Sequence, residues 1–327
     1  MPFRVQVGPH QVSIHHGQTV LVSEPDGQIQ SPGEKGLYFF DTRIISSWTI
    51  YANGEPWELL NGGAIAHYAS RIYLTNRRIL TSDGVIPPRT LGLVVSRLIS
   101  GGMHEDLDVT NNSTQRVNFQ LEIVLRCDFA DIFEVKSNNI VRRGHIVTEW
   151  SQRRQQLRTS YRNGDFVRAV MVAPSQGRPK ATYSNGRLNF EIVLERGEAW
   201  HCCLLYTLED GEQIHRAPHE CADQHHKVHG ETLSDWLKAV LKIRCSNEEF
   251  YRLYRQALED MAALRLPIFG TDHKVFIAGC RFALVCRSVR SGQLDRFAAE
   301  PFDLSRLCPR QPRYPGFTAG ESRGRLP

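Results

Sequence analysis

Apolar side chains occupy every second position along several stretches of the first two hundred residues. Between residues 117 and 125 these positions are Val117, Phe119, Leu121, Ile123 and Leu125. Such a period of two is typical of a strand with one face buried. Similar runs lie at Ile44–Ala52, Leu91–Ile99, Ile140–Trp150, Gln155–Tyr161, Phe166–Ala173, Leu188–Leu194 and Trp200–Leu208.

Turn-forming pairs separate several of these runs. Asn53-Gly54, Asn163-Gly164 and Asn185-Gly186 each lie between two apolar stretches. Asn and Gly tolerate the positive φ angles of tight hairpins, so the pairs predict antiparallel neighbours. Many short strands joined by hairpins favour a sandwich over a parallel sheet. We therefore predict a mainly β chain, with a supersandwich-like antiparallel β-sandwich over residues 1–215.

The period changes to a helical one after residue 229. Thr232–Ile243 carries apolar residues at helical spacing, and Ser246 to Glu249 has the sequence of a capping box that starts a second helix. Its apolar face comprises Phe250, Leu253, Tyr254, Ala257, Leu258, Met261 and Leu264, and Pro267 is expected to end it. Residues 216–279 are thus predicted to hold a polar linker and two helices.

The last stretch, residues 280–327, lacks any clear apolar period. It contains nine Arg and no Lys, five Pro and three of the eight Cys. We expect this tail to be disordered and to pack little against the sandwich. The apolar face of the second helix should then be more exposed than its pattern implies, at Phe250, Leu253, Leu258 and Met261.

A shift of the reading frame explains the composition of the tail. A permitted codon choice for residues 280–295, read one base later, encodes Ala-Gly-Leu-Pro-Trp-Phe-Val-Ala-Gln-Phe-Gly-Arg-Asp-Ser-Leu. Two later segments also give amphipathic sequence in that frame. We interpret the tail as a frameshifted reading of a longer gene.

Charge supports this division of the chain. The tail holds nine of the 40 basic and four of the 35 acidic residues, which leaves residues 1–279 with 31 of each. The net charge of +5 therefore gives no basis for nucleic-acid binding. No apolar run reaches the length of a membrane helix, and the start does not resemble a signal peptide. Unpaired cysteines favour a cytoplasmic protein.

Two motifs carry a family resemblance. Gly36 to Arg43 fits Gly-Leu-x-x-x-Asp-Thr-Arg, and residues 128–135 read Asp-Phe-Ala-Asp-Ile-Phe-Glu-Val. Together they resemble the N-terminal domain of bacterial and archaeal glycogen debranching enzymes of the amylo-α-1,6-glucosidase type. The resemblance covers roughly residues 15–279. The peptide encoded in the shifted frame resembles the sequence that follows in that family, at the start of its helical barrel.

The resemblance implies an accessory sandwich whose catalytic (α/α) barrel is missing. Its implied partner is an α-glucan or oligosaccharide, bound through that barrel, and no membrane or nucleic acid is expected. The chain alone should be inactive. The alternative is a stand-alone carbohydrate-binding or interaction module with aromatics exposed on one sheet face.

Five residues of the motifs are candidates for a substrate or barrel-interface site. Asp41 and Arg43 are two apart, so on one strand they would point to the same side and could pair or hold a polar ligand. The other three, Asp128, Asp131 and Glu134, lie just past a strand. Glycoside hydrolysis uses paired carboxylates, but we interpret these as fixing a loop and assign no catalytic residue. Trp48, Trp57 and Trp150 could stack on sugars, although core positions are the commoner role for them.

A third possibility is a zinc-binding protein. His215, His219, Cys221, His225, His226 and His229 have suitable side chains. They lack paired Cys-x-x-Cys spacing and fall in a polar linker, so solvated histidines are the preferred interpretation. We expect no metal site and no cofactor.

Overall fold

The structure is a computed structural model that describes residues 11–174, 180–218, 221, 237–238, 240–267 and 275–277. All of these residues belong to a unit that spans Met1–Cys286. Only part of the first predicted helix, Thr232–Ile243, is among them. The predicted tail, residues 280–327, lies outside the described residues.

Strands dominate the described part of the chain. They are β1 (Val12–His16), β2 (Thr19–Ser23), β3 (Gly36–Phe39), β4 (Thr42–Ile45), β5 (Ser47–Ala52), β6 (Glu55–Ala66), β7 (Ala69–Asn76), β8 (Ile79–Thr81), β9 (Gly84–Ile86), β10 (Leu91–Ser100), β11 (Gly102–Asn111), β12 (Val117–Arg126), β13 (Ala130–Asp131), β14 (His145–Ser151), β15 (Gln156–Asn163), β16 (Phe166–Pro174), β17 (Thr182–Ser184), β18 (Arg187–Leu194), β19 (Ala199–Asp210), β20 (Gln213–His215), β21 (Arg265–Pro267) and β22 (Val275–Ile277). The two helices with described bounds are α1 (Ile132–Ser137) and α2 (Glu248–Ala263).

Two large sheets account for most of these strands. Thirteen described strands form one sheet in the order β14-β15-β16-β19-β11-β10-β7-β6-β5-β12-β18-β17, with β20 also paired to β19. A five-stranded sheet has the order β1-β2-β3-β4-β13. All ladders between described strands are antiparallel. The predicted antiparallel β-sandwich is confirmed.

The alternation of β12 places its apolar face in the core. Val117, Phe119, Leu121, Ile123 and Leu125 are all buried, and Leu121 and Ile123 are fully so. They join one large apolar cluster that draws on both sheets. The predicted inward face of this strand is therefore confirmed.

The predicted run Ile44–Ala52 is in fact two strands. Its first part ends β4 of the five-stranded sheet, and its second part is β5 of the larger sheet. Ser46 lies between them, and its amide donates to the carbonyl of Arg126 at 2.9 Å. The chain thus crosses between sheets through a bend at the single residue Ser46, which a local alternation pattern does not reveal.

Turn geometry agrees with two of the three Asn-Gly predictions. Asn53 and Gly54 have φ angles of 46° and 79°, and Asn185 and Gly186 have 51° and 75°. These positive pairs suit two-residue hairpin loops. The third loop is displaced by one residue, since Asn163 pairs with Phe166 in the β15–β16 ladder. Its central residues are therefore 164 and 165, not Asn163-Gly164.

The helix α2 corrects two details of the sequence interpretation. Its N-cap is Asn247, whose side chain accepts from the amide of Phe250 at 3.0 Å, and not Ser246. Asn is a stronger cap than most residues, and it lies one position closer to the helix. The helix ends at Ala263, whereas Pro267 lies in β21, so the proline is not its terminator.

The apolar face of α2 is largely uncovered within the described residues. Phe250, Leu253 and Met261 are 48%, 65% and 40% exposed, and none of the residues of the helix is buried. Leu258 is half-buried. The predicted exposure of this stripe is confirmed for the first three residues, and in part for Leu258.

Candidate functional site

The first motif folds as the tight hairpin between β3 and β4. Phe39 pairs with Thr42, so Phe40 and Asp41 form the turn, and Phe40 has a φ of 54°. Arg43 follows within β4. The expectation that Asp41 and Arg43 share one side of a single strand is therefore wrong, because the reversal of the chain at Phe40 and Asp41 separates them.

Arg43 pairs with the second motif. Its guanidinium approaches Asp128 through Nε to Oδ2 at 3.1 Å and Nη2 to Oδ2 at 2.5 Å. Its Nη1 also donates to the carbonyl of Gly33 at 2.5 Å. The Arg43 side chain is only 3% exposed. This charged pair joins β4 to the segment that follows β12, across 85 positions of sequence.

The other two acids of the second motif start a helix. Asp131 is the N-cap of α1, and its Oδ1 accepts from the Phe133 amide at 2.8 Å. The Glu134 carboxylate accepts from the Asp131 amide at 3.3 Å, which completes a capping box, and it pairs with Arg143. The interpretation that these acids fix local backbone agrees with this geometry, although the segment is a short helix.

Asp41 is held by an arginine from the larger sheet. Arg168 of β16 donates through Nη1 to Asp41 Oδ1 at 2.9 Å and to the carbonyl of Phe39 at 3.1 Å, and it also contacts Thr42. Its guanidinium carbon lies 4.9 Å from the Phe166 ring centroid. Arg168 is buried. It therefore connects the β3–β4 hairpin to the thirteen-stranded sheet.

The motifs meet at one cavity with a volume of about 190 Å³. Asp41, Asp128, Asp131 and Glu134 all line it, and so do Arg143, Tyr161, Asn163 and Phe166. Arg43 reaches it through its pair with Asp128. The structure thus brings together the five sequence-predicted candidates, which are up to 93 positions apart in sequence.

The cavity raises the proton affinity of one acid. Burial, together with the neighbouring Asp41 and Glu134 carboxylates, raises the pKa of Asp131 above its ordinary value of 3.8. The Phe133 amide and the Arg143 charge oppose this shift. A raised carboxyl pKa is a property of general acids, but it also arises wherever carboxylates crowd together.

Each of the four carboxylates has a structural partner. Asp41 pairs with Arg168 and Asp128 with Arg43, whereas Asp131 and Glu134 form the capping box. A glycosidase requires one acid placed over the leaving oxygen and a second free to act as nucleophile or base. The arrangement is better suited to holding the shape of the cavity than to that chemistry.

Arg168 and Arg143 were missed by the sequence interpretation. Arg168 lies in the predicted run Phe166–Ala173, at the same register as apolar Val170. An arginine on an inward-facing strand position needs a buried acceptor, and this was a usable signal. Arg143 gives no comparable signal: it falls in the predicted strand run Ile140–Trp150, but the strand β14 begins only at His145.

The three tryptophans divide between core and surface. Trp48 and Trp57 are buried, so the core interpretation is confirmed for both. The Trp48 indole donates to Tyr206 Oη at 3.0 Å, and the Arg97 guanidinium lies 4.2 Å from its ring centroid. Trp150 is partly buried and packs near Tyr183. Trp48 and Trp57 are therefore unavailable for stacking on a sugar.

A comparison with known protein families shows which family the chain belongs to. The family described as the N-terminal domain of (some) glycogen debranching enzymes matches residues 14–205, which contain both motifs. The chain belongs to this family. The resemblance drawn from residues 36–43 and 128–135 is thereby confirmed. Among curated proteins, no significant match exists.

Several solved structures are similar to this chain at low sequence identity. One, described as a kojibiose phosphorylase from the human microbiome, has 11% identity and a TM-score of 0.44, and the match covers 77% of this chain and 36% of that chain. Another, described as an aldose 1-epimerase from Escherichia coli K12, has 10% identity and a TM-score of 0.36, with 61% and 99% covered. A galactose mutarotase-like protein from Clostridium acetobutylicum has 7% identity and a TM-score of 0.32, with 61% and 94% covered. This debranching-enzyme domain thus spans about a third of the phosphorylase chain.

Neither helix in the described part of the chain has the length and apolar character needed to cross a bilayer.

Proposed function

We propose that this chain is the accessory N-terminal part of a glycoside hydrolase that acts on α-1,6 branches of glycogen or related α-glucans. The observation that carries the proposal is that all four carboxylates of the cavity already interact with other groups of the chain. Each is engaged by an arginine or by the start of α1, so the cavity has a structural role. The chemistry would then belong to a separate helical barrel.

The uncovered face of α2 supports a missing partner domain. Phe250, Leu253 and Met261 form an exposed stripe on a helix that follows the sandwich. Exposed apolar stripes of this kind mark interaction surfaces. A barrel that packs on this helix would bury the stripe and place the sandwich beside the substrate cleft.

The proposal is tested by assaying glucose release from a branched α-glucan. The purified chain should release none. The addition of a separately expressed barrel, encoded by the DNA that follows, should restore turnover. Turnover by the chain alone, abolished in Asp131→Asn or Glu134→Gln, would contradict the proposal and make the acids of the cavity catalytic.

We also propose that the sequence from residue 280 onward is frameshifted. Two observations support this: the composition of residues 280–327, and the family-like peptide that the shifted frame encodes. Sequencing the gene through this region is the test. Barrel sequence in the frame one base later is expected, and a stop codon in every frame soon after residue 327 would refute it.

Free thiols such as buried Cys202 favour a cytoplasmic location.

One observation favours a second function, carbohydrate binding by the sandwich itself. Phe166 is 41% exposed and lines the cavity beside Asp41 and Asn163. An aromatic ring next to polar acceptors is a common way to bind a sugar. Calorimetric titration with maltooligosaccharides tests it. Binding that is lost in Phe166→Ala but kept in Phe133→Ala, an exposed ring outside the cavity, would support this function.

A further inference from the structure

A second cluster of reactive side chains lies away from the cavity, on β11 and β19. These strands are paired so that Asp106 faces Cys203 and Asp108 faces His201. His104 is two residues from Asp106 and therefore lies on the same face. The intervening residues Leu107, Cys202 and Leu204 belong to the apolar core. The cluster thus occupies the face of the sheet that is turned away from the core.

At these three residues the outer face is nevertheless buried. His104 is 0%, Asp106 4% and Cys203 2% exposed. Residues 216–218, after β20, cover it: the Gly102 amide donates to the carbonyl of Arg216 at 3.2 Å. Cys221 adds a fourth side chain. A covering segment of coil that buries polar groups requires specific interactions to hold it.

The four side chains offer one ligand atom each, and these atoms lie within 4.8 Å of one another. Cys203 Sγ and Cys221 Sγ are 3.6 Å apart. This exceeds the roughly 2.05 Å of a disulfide. Two sulfurs bound tetrahedrally at about 2.3 Å from one Zn²⁺ would be about 3.8 Å apart. The sulfur spacing therefore fits a shared zinc ion.

His104 is oriented as a ligand. Its Nδ1 lies 2.6 Å from the carbonyl of Pro218, an acceptor, so Nδ1 carries the proton and donates it. This leaves Nε2 facing Asp106 Oδ1 at 2.8 Å. A backbone carbonyl on the far nitrogen is the usual support for a metal-bound histidine. Nitrogen and oxygen ligands of one zinc are about 3.3 Å apart, so binding requires them to separate by about 0.5 Å.

We propose that His104, Asp106, Cys203 and Cys221 bind one Zn²⁺ ion in a tetrahedral site that fastens Cys221 to β11 and β19. Two thiolates, an imidazole and a carboxylate form a donor set that zinc accepts. The four protein ligands leave no open position, so the site is structural. His201 lies beside it, with Nε2 3.1 Å from Cys203 Sγ and Nδ1 2.7 Å from Asp108, and it can hydrogen-bond to the bound sulfur.

This proposal replaces the sequence-based expectation of no metal. It also differs from the zinc site considered for the His-rich linker, with which it shares only Cys221. Of the other five residues of that linker set, only His215 is described, and its ring packs against Phe39 at 4.8 Å. His219, His225, His226 and His229 lie outside the described residues.

The test uses the full chain, purified without a histidine tag and exposed to Zn²⁺, then dialysed. Mass spectrometry of the metal should give one Zn per chain. Cobalt replacement should give the intense ligand-field bands of tetrahedral Co²⁺ and a thiolate-to-metal charge-transfer band. Cys221→Ser and Asp106→Asn should each lose at least tenfold in zinc affinity, since each removes a ligand.

Two control variants separate this site from other metal binding. Cys245→Ser removes an exposed thiol outside the cluster and should keep the zinc. A triple variant, His225→Ala, His226→Ala and His229→Ala, should also keep it. Cys221 lies outside both strands, so unchanged circular dichroism in Cys221→Ser shows that lost zinc reflects the lost ligand.

Several results would overturn the proposal. One is a wild-type chain that binds no zinc, which would leave His104 and Asp106 as a simple ion pair. Another is a Cys203–Cys221 disulfide in the intact mass of the protein isolated under reducing conditions. Zinc that survives Cys221→Ser, or that is lost in the triple histidine variant, would place the metal elsewhere.

A further expected result concerns stability. Chelation should lower the melting temperature of the wild type but not that of Cys221→Ser.

Discussion

The pair between Arg43 and Asp128 gives the sharpest test of a structural role for the motif acids. The substitution Asp128→Asn keeps the shape of the side chain but removes its charge. Among the described residues, the partners left to the Arg43 guanidinium, 3% exposed, would then be neutral, such as the carbonyls of Gly33 and Lys35. A buried cation that loses its counter-charge is strongly destabilising.

The expected cost can be estimated from burial. Removing one partner of a fully buried ion pair costs about 3–5 kcal/mol. Asp128 is 18% exposed, so water screens part of the interaction. We therefore expect a loss at the lower end, about 3 kcal/mol in the free energy of unfolding. A catalytic carboxylate behaves differently, since its removal often leaves stability unchanged or raised.

Urea unfolding followed by tryptophan fluorescence measures this loss as a fall in midpoint at constant slope. A matched control is Glu58→Gln, which breaks the exposed pair between Arg77 and Glu58 and should cost less than about 1 kcal/mol. The double variant Arg43→Met with Asp128→Asn should recover much of the loss, because no charge is left unpaired. A loss below about 1 kcal/mol in Asp128→Asn would refute the reasoning, as would a double variant that loses the sum of the two single variants.

Three further predictions concern the core, the cavity and the tail. Leu121→Ala, at a fully buried position, should cost about 2–5 kcal/mol in urea unfolding, and a cost under about 0.5 kcal/mol would mean that the buried face was wrongly identified. The raised pKa of Asp131 adds stability that is fully present below pH 3.8 and is lost as pH rises through the folded-state pKa. Asp131→Asn keeps an N-cap but cannot titrate, so the stability of the wild type relative to this variant should fall across that window, and a difference independent of pH would contradict it. Limited trypsin digestion should cut rapidly within the Arg-rich stretch after Arg287, Arg290, Arg296 and Arg306 and leave a fragment that ends between residues 215 and 280; full protection of these sites would end the frameshift interpretation.

Local patterns were sufficient to predict some of the strands, but the long strands β6, β7 and β11 were not among the predicted runs. The period of two over Val117–Leu125 identifies both the strand and its buried side, because successive strand residues point in opposite directions. The turn at Asn53-Gly54 was likewise readable, since it depends on the φ angles of two neighbouring residues. Such features are set within a few positions of sequence.

Features that depend on distant partners could not be predicted in this way. Nothing near Arg43 indicates that its carboxylate is Asp128 and not Asp41, because the choice depends on which strands become neighbours. The zinc ligands proposed here span His104 to Cys221 and so lack any short spacing motif. The helix α1 was different: the Asp131 and Glu134 spacing of a capping box was a local signal, and the sequence interpretation overlooked it.

The position of β19 has a consequence for how the chain is made. This strand lies between β11 and β16, inside the larger sheet, yet it is encoded about 90 positions after β11. At the usual rates of translation, β11 leaves the ribosome on the order of ten seconds before its partner. During that interval its hydrogen-bonding edge is open to other nascent chains. The yield of intact protein should therefore depend on chaperone supply and on growth temperature, even where the finished fold is stable.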